Sequence, residues 1–215
     1  LYESHWSRFD DPWWKEEVGR GHAARGRRDV LLSVWLTVVK GTEANVGHLY
    51  REAREYLESG PTTQALLEEI SRLAQAYYEI YVPTESERPL ISEAYARISS
   101  FEITTAIPLF AWLRTLDDQV LTPLDHEVAV RAVESWAIRR AFVGAQTRGY
   151  GTHLSRVLRE AQLAASKEKS VVAAVIRGLR GWVLDWPTDD EVREAFLSRK
   201  FYNSVARARI RMLLG

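Results

Sequence analysis

Five arginines in the C-terminal half, Arg139, Arg140, Arg148, Arg156 and Arg159, are the residues whose type and spacing point most directly to chemistry. A guanidinium is a planar fork that stays charged and grips two oxygens of a phosphate at once, so arginines along a helix and the turn after it could contact a nucleic-acid backbone. The adjacent pair lies in ESWAIRRAFVGAQTRGY, Glu134 to Tyr150, which otherwise reads as a buried helix. A plainer reading competes. Cations in the last turn of a helix complement its dipole, by about 0.3–1 kcal/mol each when exposed. They can also lock the helix to neighbours through the open carbonyls at its end and through nearby acids, for which Asp117, Asp118 and Glu134 are the candidates. This structural reading is the preferred one, with phosphate contact second.

Other chemistry finds little support. The histidines, at 5, 22, 48, 126 and 153, stand singly, without the i, i+4 spacing of a metal-binding helix, and there is no cysteine to complete a zinc site. Gly19-Arg-Gly-His-Ala-Ala-Arg-Gly26 lacks the strand and spacing of a phosphate cradle and reads as a basic loop. Asp117-Asp118 and Asp189-Asp190 follow helix-boundary logic, and no spacing supports a Ser-His-Asp arrangement. No catalytic, cofactor-binding or metal-ligating residue is assigned.

The elements that position the arginines are helical nearly throughout. With 215 residues, 46% of them hydrophobic, eight Trp and few Gly or Pro, the chain can bury a substantial core, and its fold class is expected to be all-α, an irregular bundle of about 8–11 helices. Asp11-Pro12 caps a short aromatic turn at Trp13-Trp14. Val30, Leu31, Val34, Trp35, Val38 and Val39 recur at helical spacing until Gly41, although their β-branching also suits a strand. Asn45, Thr62 or Thr63, Thr122 and Thr188 are further helix starts, the last with three acids behind it. Pro123 opens the helix of the arginine pair, on which Val128, Ala132, Trp136 and Val143 or Phe142 fall near one face, Ala129, Val133 and Ala137 lie beside it, Ile138 and Ala141 widen the apolar surface, and the arginines leave along a narrow polar seam or reach a buried acceptor. Gly144 closes it. A final basic helix is expected over 203–214. The polar segment Val82-Pro-Thr-Glu-Ser-Glu-Arg-Pro89 divides one helical domain into subdomains 1–82 and 89–185, with 186–215 leading onward.

Charge and termini add two expectations. The formal net charge is zero, but residues 131–215 carry 16 Lys and Arg against 8 Asp and Glu, and residues 1–130 carry 13 against 21. Such halves can attract each other, or the basic one can face nucleic acid. The chain starts at Leu1 and its one methionine is Met212, so it is expected to be a piece of something longer. The absence of cysteine suits a reducing interior, and no apolar run approaches a membrane span; a cytoplasmic protein with no membrane partner is expected.

Leu1-Tyr-Glu-Ser-His-Trp-Ser-Arg-Phe-Asp-Asp-Pro-Trp-Trp14, with Arg28-Asp-Val-Leu-Leu-Ser-Val-Trp-Leu36, resembles the helical segment behind the ParB-like nucleotide-binding domain of GmrSD-type proteins, modification-dependent type IV restriction systems against phage DNA. Glu134-Ser-Trp-Ala-Ile-Arg-Arg140 with Thr147-Arg-Gly-Tyr150 is similar to that family's arginine-pair helix, and Trp186-Pro-Thr-Asp-Asp-Glu191 with Phe196 and Tyr202 to the stretch leading into its HNH nuclease. The family's Asp-Gly-Gln-Gln-Arg motif and its His-containing metal motif do not occur here. The resemblance therefore implies the helical middle of such a protein. NTP and a divalent metal belong, by implication, to flanking domains of the parent chain, which are also the implied partners, with DNA as a further one. Three roles are open at this stage: a scaffold coupling those domains, a DNA-backbone clamp using the five arginines, and an interaction module presenting Trp6, Trp13 and Trp14.

Overall fold

The computed structural model describes residues 7–19, 24–58, 60, 62–84, 88–181 and 184–198. Among them are ten α-helices and one minimal hairpin, so the fold is all-α as expected. β1 (Glu17–Val18) pairs with β2 (Arg25–Gly26) in antiparallel register, so the last two residues of the expected basic loop, Arg25 and Gly26, are strand; two-residue strands carry no alternation by which to recognise them. The expected helix over 203–214, Trp6 and Tyr202 lie outside the described residues.

The helix starts follow the residue chemistry. α1 (Pro12–Lys15) begins where the Asp11 carboxylate accepts from the Trp13 amide at 2.8 Å, with proline in the first turn, where no helical donor is lost. α2 (Arg27–Lys40) is the valine-rich segment, helical despite its β-branching because Val34, Trp35, Leu36 and Val38 are all buried by neighbouring helices. Asn45 caps a short 3-10 turn that runs into α3 (Leu49–Glu58), and Thr62 caps α4 (Thr63–Tyr81). Beyond the 82–89 loop come α5 (Pro89–Ser100), α6 (Ile107–Arg114) and α7 (Pro123–Phe142), the last capped by the Thr122 hydroxyl. α8 (Tyr150–Ala165), α9 (Val171–Arg180) and α10 (Asp189–Ser198) complete the order.

α6 is the hub. It is short, but Leu109, Phe110, Ala111 and Leu113 are essentially inaccessible, and it packs against α2, α4, α7 and α8. Helices on both sides of the 82–89 loop thus share one continuous apolar core, while α7, α8 and α9 form a layer of their own against it. Ion pairs reinforce one seam: Glu127 and Glu134 of α7 bind Arg88 and Arg97, at the start and in the last turn of α5. At the other end Trp14 is buried and Trp13 packs edge-on against Tyr78 at 4.8 Å, with Arg27 over its ring at 4.1 Å. Neither is an exposed docking aromatic, which corrects that expectation: the tyrosine stripe of α4 covers them.

The α2–α3 turn is moored to α8. Gly41 ends α2 at φ +63°, its amide reaching the Thr37 carbonyl, and Gln162 of α8 donates to the Val38 carbonyl at 2.9 Å. A β-carbon on Gly41 would lie 3.3 Å from Cβ and Cγ of Arg159. Gly41→Ala is therefore expected to cost about 1–2 kcal/mol, from the left-handed backbone alone and with the crowding against α8 at the upper end. Urea denaturation of the variant reads this directly; an unchanged midpoint would mean that the turn relaxes freely.

Candidate functional site: an arginine-held strap

Apolar residues occur on every side of α7, and burial picks the face. Ala129, Val130, Val133, Trp136 and Ala137 are fully buried, whereas Val128 is exposed. The stripe 129, 133, 136, 140 continues at helical spacing onto Arg140, which is only 8% exposed. The buried face thus runs through the part of the expected apolar surface that holds Ala129, Val133 and Trp136, with Val128 outside it, and of the two routes expected for the arginines Arg140 takes that to a buried acceptor.

The end of α7 does not need the arginines. Gly144 adopts φ +74°, its amide bonds to the Ala141 carbonyl at 3.2 Å, and the Ala145 amide bonds to the Arg140 carbonyl at 2.9 Å. This Schellman closure satisfies the last carbonyls. Both guanidiniums reach instead to the strap of residues 184–188, which lies between α9 and α10, and to Asp189 at the start of α10. Arg140 Nη1 donates to the Asp185 carbonyl at 2.8 Å and Nε to the Tyr150 hydroxyl at 3.3 Å. Arg139 Nη1 donates to the Pro187 carbonyl at 3.1 Å, Nη2 pairs with the Asp189 carboxylate at 2.5 Å, and Nε donates to Ser135. Trp136 Nε1 donates to the Leu184 carbonyl at 3.3 Å, and Arg180 of α9 lies over the Trp186 ring at 5.6 Å. Three side chains of α7 thereby hold one short length of backbone, and Arg180 of α9 packs on its tryptophan ring.

The expected locking role of the pair is therefore present with different partners. Glu134 serves Arg97, and the acid that Arg139 meets is Asp189. Of the other candidate phosphate ligands, Arg156 donates to the Gly178 and Gly181 carbonyls at 2.9 and 2.7 Å and to Glu160 at 2.6 Å. Arg148 is exposed in the turn before α8, and Arg159 is exposed where its stem meets Gly41. The five do not form one open cationic face: three are engaged with backbone carbonyls around the strap.

Behind the strap the packing is aromatic. The Arg140 guanidinium stands 5.5 Å from the centroids of both Trp136 and Tyr150, whose rings are 4.8 Å apart. His153, in the first turn of α8, stacks on Trp136 at 5.1 Å with an interplanar angle of 9° and is inaccessible to solvent. Neither ring nitrogen has a hydrogen-bond partner among the described residues. Burial, then the guanidiniums of Arg156 and Arg140, lower its pKa from 6.5 to about 4, against the opposing pull of Asp185. His126 of α7 is likewise lowered to about 4 by burial and then by Arg114, with its Nε2 3.3 Å from the Tyr95 hydroxyl.

Two depressed histidines make acid destabilising. The unfolded chain takes up both protons near pH 6.5, whereas the folded one does so only near pH 4, so stability is full above 6.5 and falls as pH drops towards 4. Urea midpoints measured from pH 7 to pH 4 should show that fall, and His153→Gln should make it about half as steep, leaving the share of His126. An equally steep fall in that variant would remove His153 from the account.

No group of three or more His, Asp or Glu suited to a metal occurs among the described residues, and no described helix is long and apolar enough to cross a membrane. Fold and site together define an all-α bundle in which the segment between α9 and α10 is tied down by arginines. No protein-family model, no curated protein and no solved structure matches the chain.

Proposed function

We propose that the chain is a non-catalytic helical scaffold, the coupling domain of a GmrSD-like restriction protein, which holds an N-terminal NTP-binding domain in fixed relation to a C-terminal HNH endonuclease. The restriction role rests on the sequence resemblance. The scaffold role rests on one observation: the arginine pair is engaged in fastening the strap that leads from the bundle into α10. An element built to present arginines to DNA would leave their forks open, whereas these are closed on carbonyls and a carboxylate. Coupling requires an element with two arrangements, and a short strap held by a few polar bonds, with Leu184 and Trp186 only partly buried against the core and Pro187 buried, is suited to be one.

Binding of the chain to short duplex DNA, plain and modified, across a salt series tests this reading. The scaffold predicts no saturable binding at low salt. Binding that weakens steeply with salt and is lost in Arg148→Ala/Arg159→Ala would replace it with a backbone-contact module, since those two arginines are exposed.

A further inference from the structure

We infer that the region where the strap meets the end of α9 is a latent binding site for a phosphate-bearing anion, with Arg140, Arg156 and His153 as its ligands and the carbonyls that the two arginines now hold, of Asp185 and of Gly178 and Gly181, as the groups that the anion displaces. It stands on charge balance and unmet hydrogen bonds at this place and is independent of the function proposed above.

The first observation is an uncompensated charge. Buried guanidiniums are normally paired with an anion, and even partly buried ones in this fold are: Arg27 with Glu16, Arg97 with Glu134, Arg114 with Glu79. Arg140 is as buried as any of these, yet its described partners are all neutral, namely a carbonyl, a hydroxyl and two ring faces. Arg156 is paired with Glu160 and also donates to two carbonyls, so the uncompensated charge is that of Arg140.

The second observation is independent of the first. His153 is completely buried with both nitrogens unpartnered among the described residues. A neutral imidazole carries one donor and one acceptor, and leaving either unmade in the interior costs about 1–3 kcal/mol. A group in that condition calls for an explanation. A phosphate oxygen accepts from the imidazole N–H, and a protonated phosphate or a protonated ring satisfies the second nitrogen. The ring also lies in the first turn of α8, whose cap residue, Gly149, offers no side-chain acceptor, so the helix dipole adds positive potential.

The acids nearby leave this balance standing. Asp185, on the strap, is the one carboxylate whose charge His153 feels, and it leaves with the strap. Asp189 is paired with Arg139. Glu43 lies against Gly151, two residues and therefore about 200° around the helix from His153. Hydrogen bonds from a guanidinium to an anion are about twice as strong as those between neutral groups, and phosphate accepts them bidentately, so an anion competes effectively with single carbonyls. Ligand that binds the open arrangement alone shifts the strap towards it.

The test is titration of the whole chain with inorganic phosphate at pH 7 and constant ionic strength, with chloride as the reference salt, reading the ring resonances of His153 and His126. The expected result is a saturable shift of His153 alone, a rise of its pKa towards the ordinary value, and loss of the Trp136 Nε1–H bond signature to the strap. Arg140→Lys and, separately, Arg156→Gln should each weaken the response about tenfold or more; the second removes a partly exposed side chain and serves if the first fails to fold. A parallel titration with phenyl phosphate separates sources: a response there as well assigns the site to a terminal phosphate of a larger molecule, and a response to inorganic phosphate alone assigns it to the free ion. An unshifted His153, an equal shift with chloride, or an undiminished shift in both variants would overturn the inference.

Discussion

Arg140→Ala is expected to lower the unfolding free energy by about 3 kcal/mol and to release the strap. The loss has separable parts. A charge-assisted hydrogen bond to the Asp185 carbonyl contributes about 1.5–3 kcal/mol, and the contact with the Trp136 and Tyr150 faces about 0.5–2 kcal/mol more. Truncation also opens space beside Trp136, while water reaching the freed carbonyl offsets part of the cost. Arg140→Lys should recover less than half, because an ammonium cannot lie between two rings and reach a carbonyl and a hydroxyl from fixed directions. Urea denaturation with equal m-values gives the number. A change under about 1 kcal/mol, or full rescue by lysine, would show that the fork geometry is unimportant.

Trp136→Ala should be costlier still, about 3–5 kcal/mol, as expected for deletion of a fully buried tryptophan. The ring is the floor of the site: it stacks on His153, meets Tyr150 and Arg140, and donates to Leu184. Trp136→Phe keeps the apolar filling and removes the bond to the strap, so its cost should be well under half that of alanine. With the floor removed, His153 gains water and its pKa should return from about 4 towards 6.5, which reverses part of the acid sensitivity. A histidine that stays depressed in the alanine variant would mean that the guanidiniums, and not burial, set its value.

These effects could be anticipated from the sequence only in part. Helix starts were legible because capping is local chemistry: Asp11, Asn45, Thr62, Thr122 and Thr188 act within three residues, and Gly41 and Gly144 end helices for want of a β-carbon. Helix rotation was not. α7 is apolar on several sides, so a stripe through Val128 and one through Val133 are equally good patterns until the neighbours choose. The strap was illegible for a different reason. Its acceptors are the main-chain carbonyls of residues 184, 185 and 187, which every residue type possesses, and nothing in Leu-Asp-Trp-Pro announces that they will face two arginines 45 to 48 positions away. His153 was read as one of five scattered histidines, because burial without a partner leaves no trace in spacing.

The central claim is that the arginine pair fastens the strap and α10 to an otherwise self-sufficient bundle. Native-state hydrogen exchange on the chain and on Arg139→Gln/Arg140→Gln measures this most directly. The account predicts that amides of 189–198 lose protection in the variant while those of α6 and α8 remain protected at a somewhat lower level. Unchanged protection in 189–198 would contradict the claim, and so would uniform loss across the whole bundle.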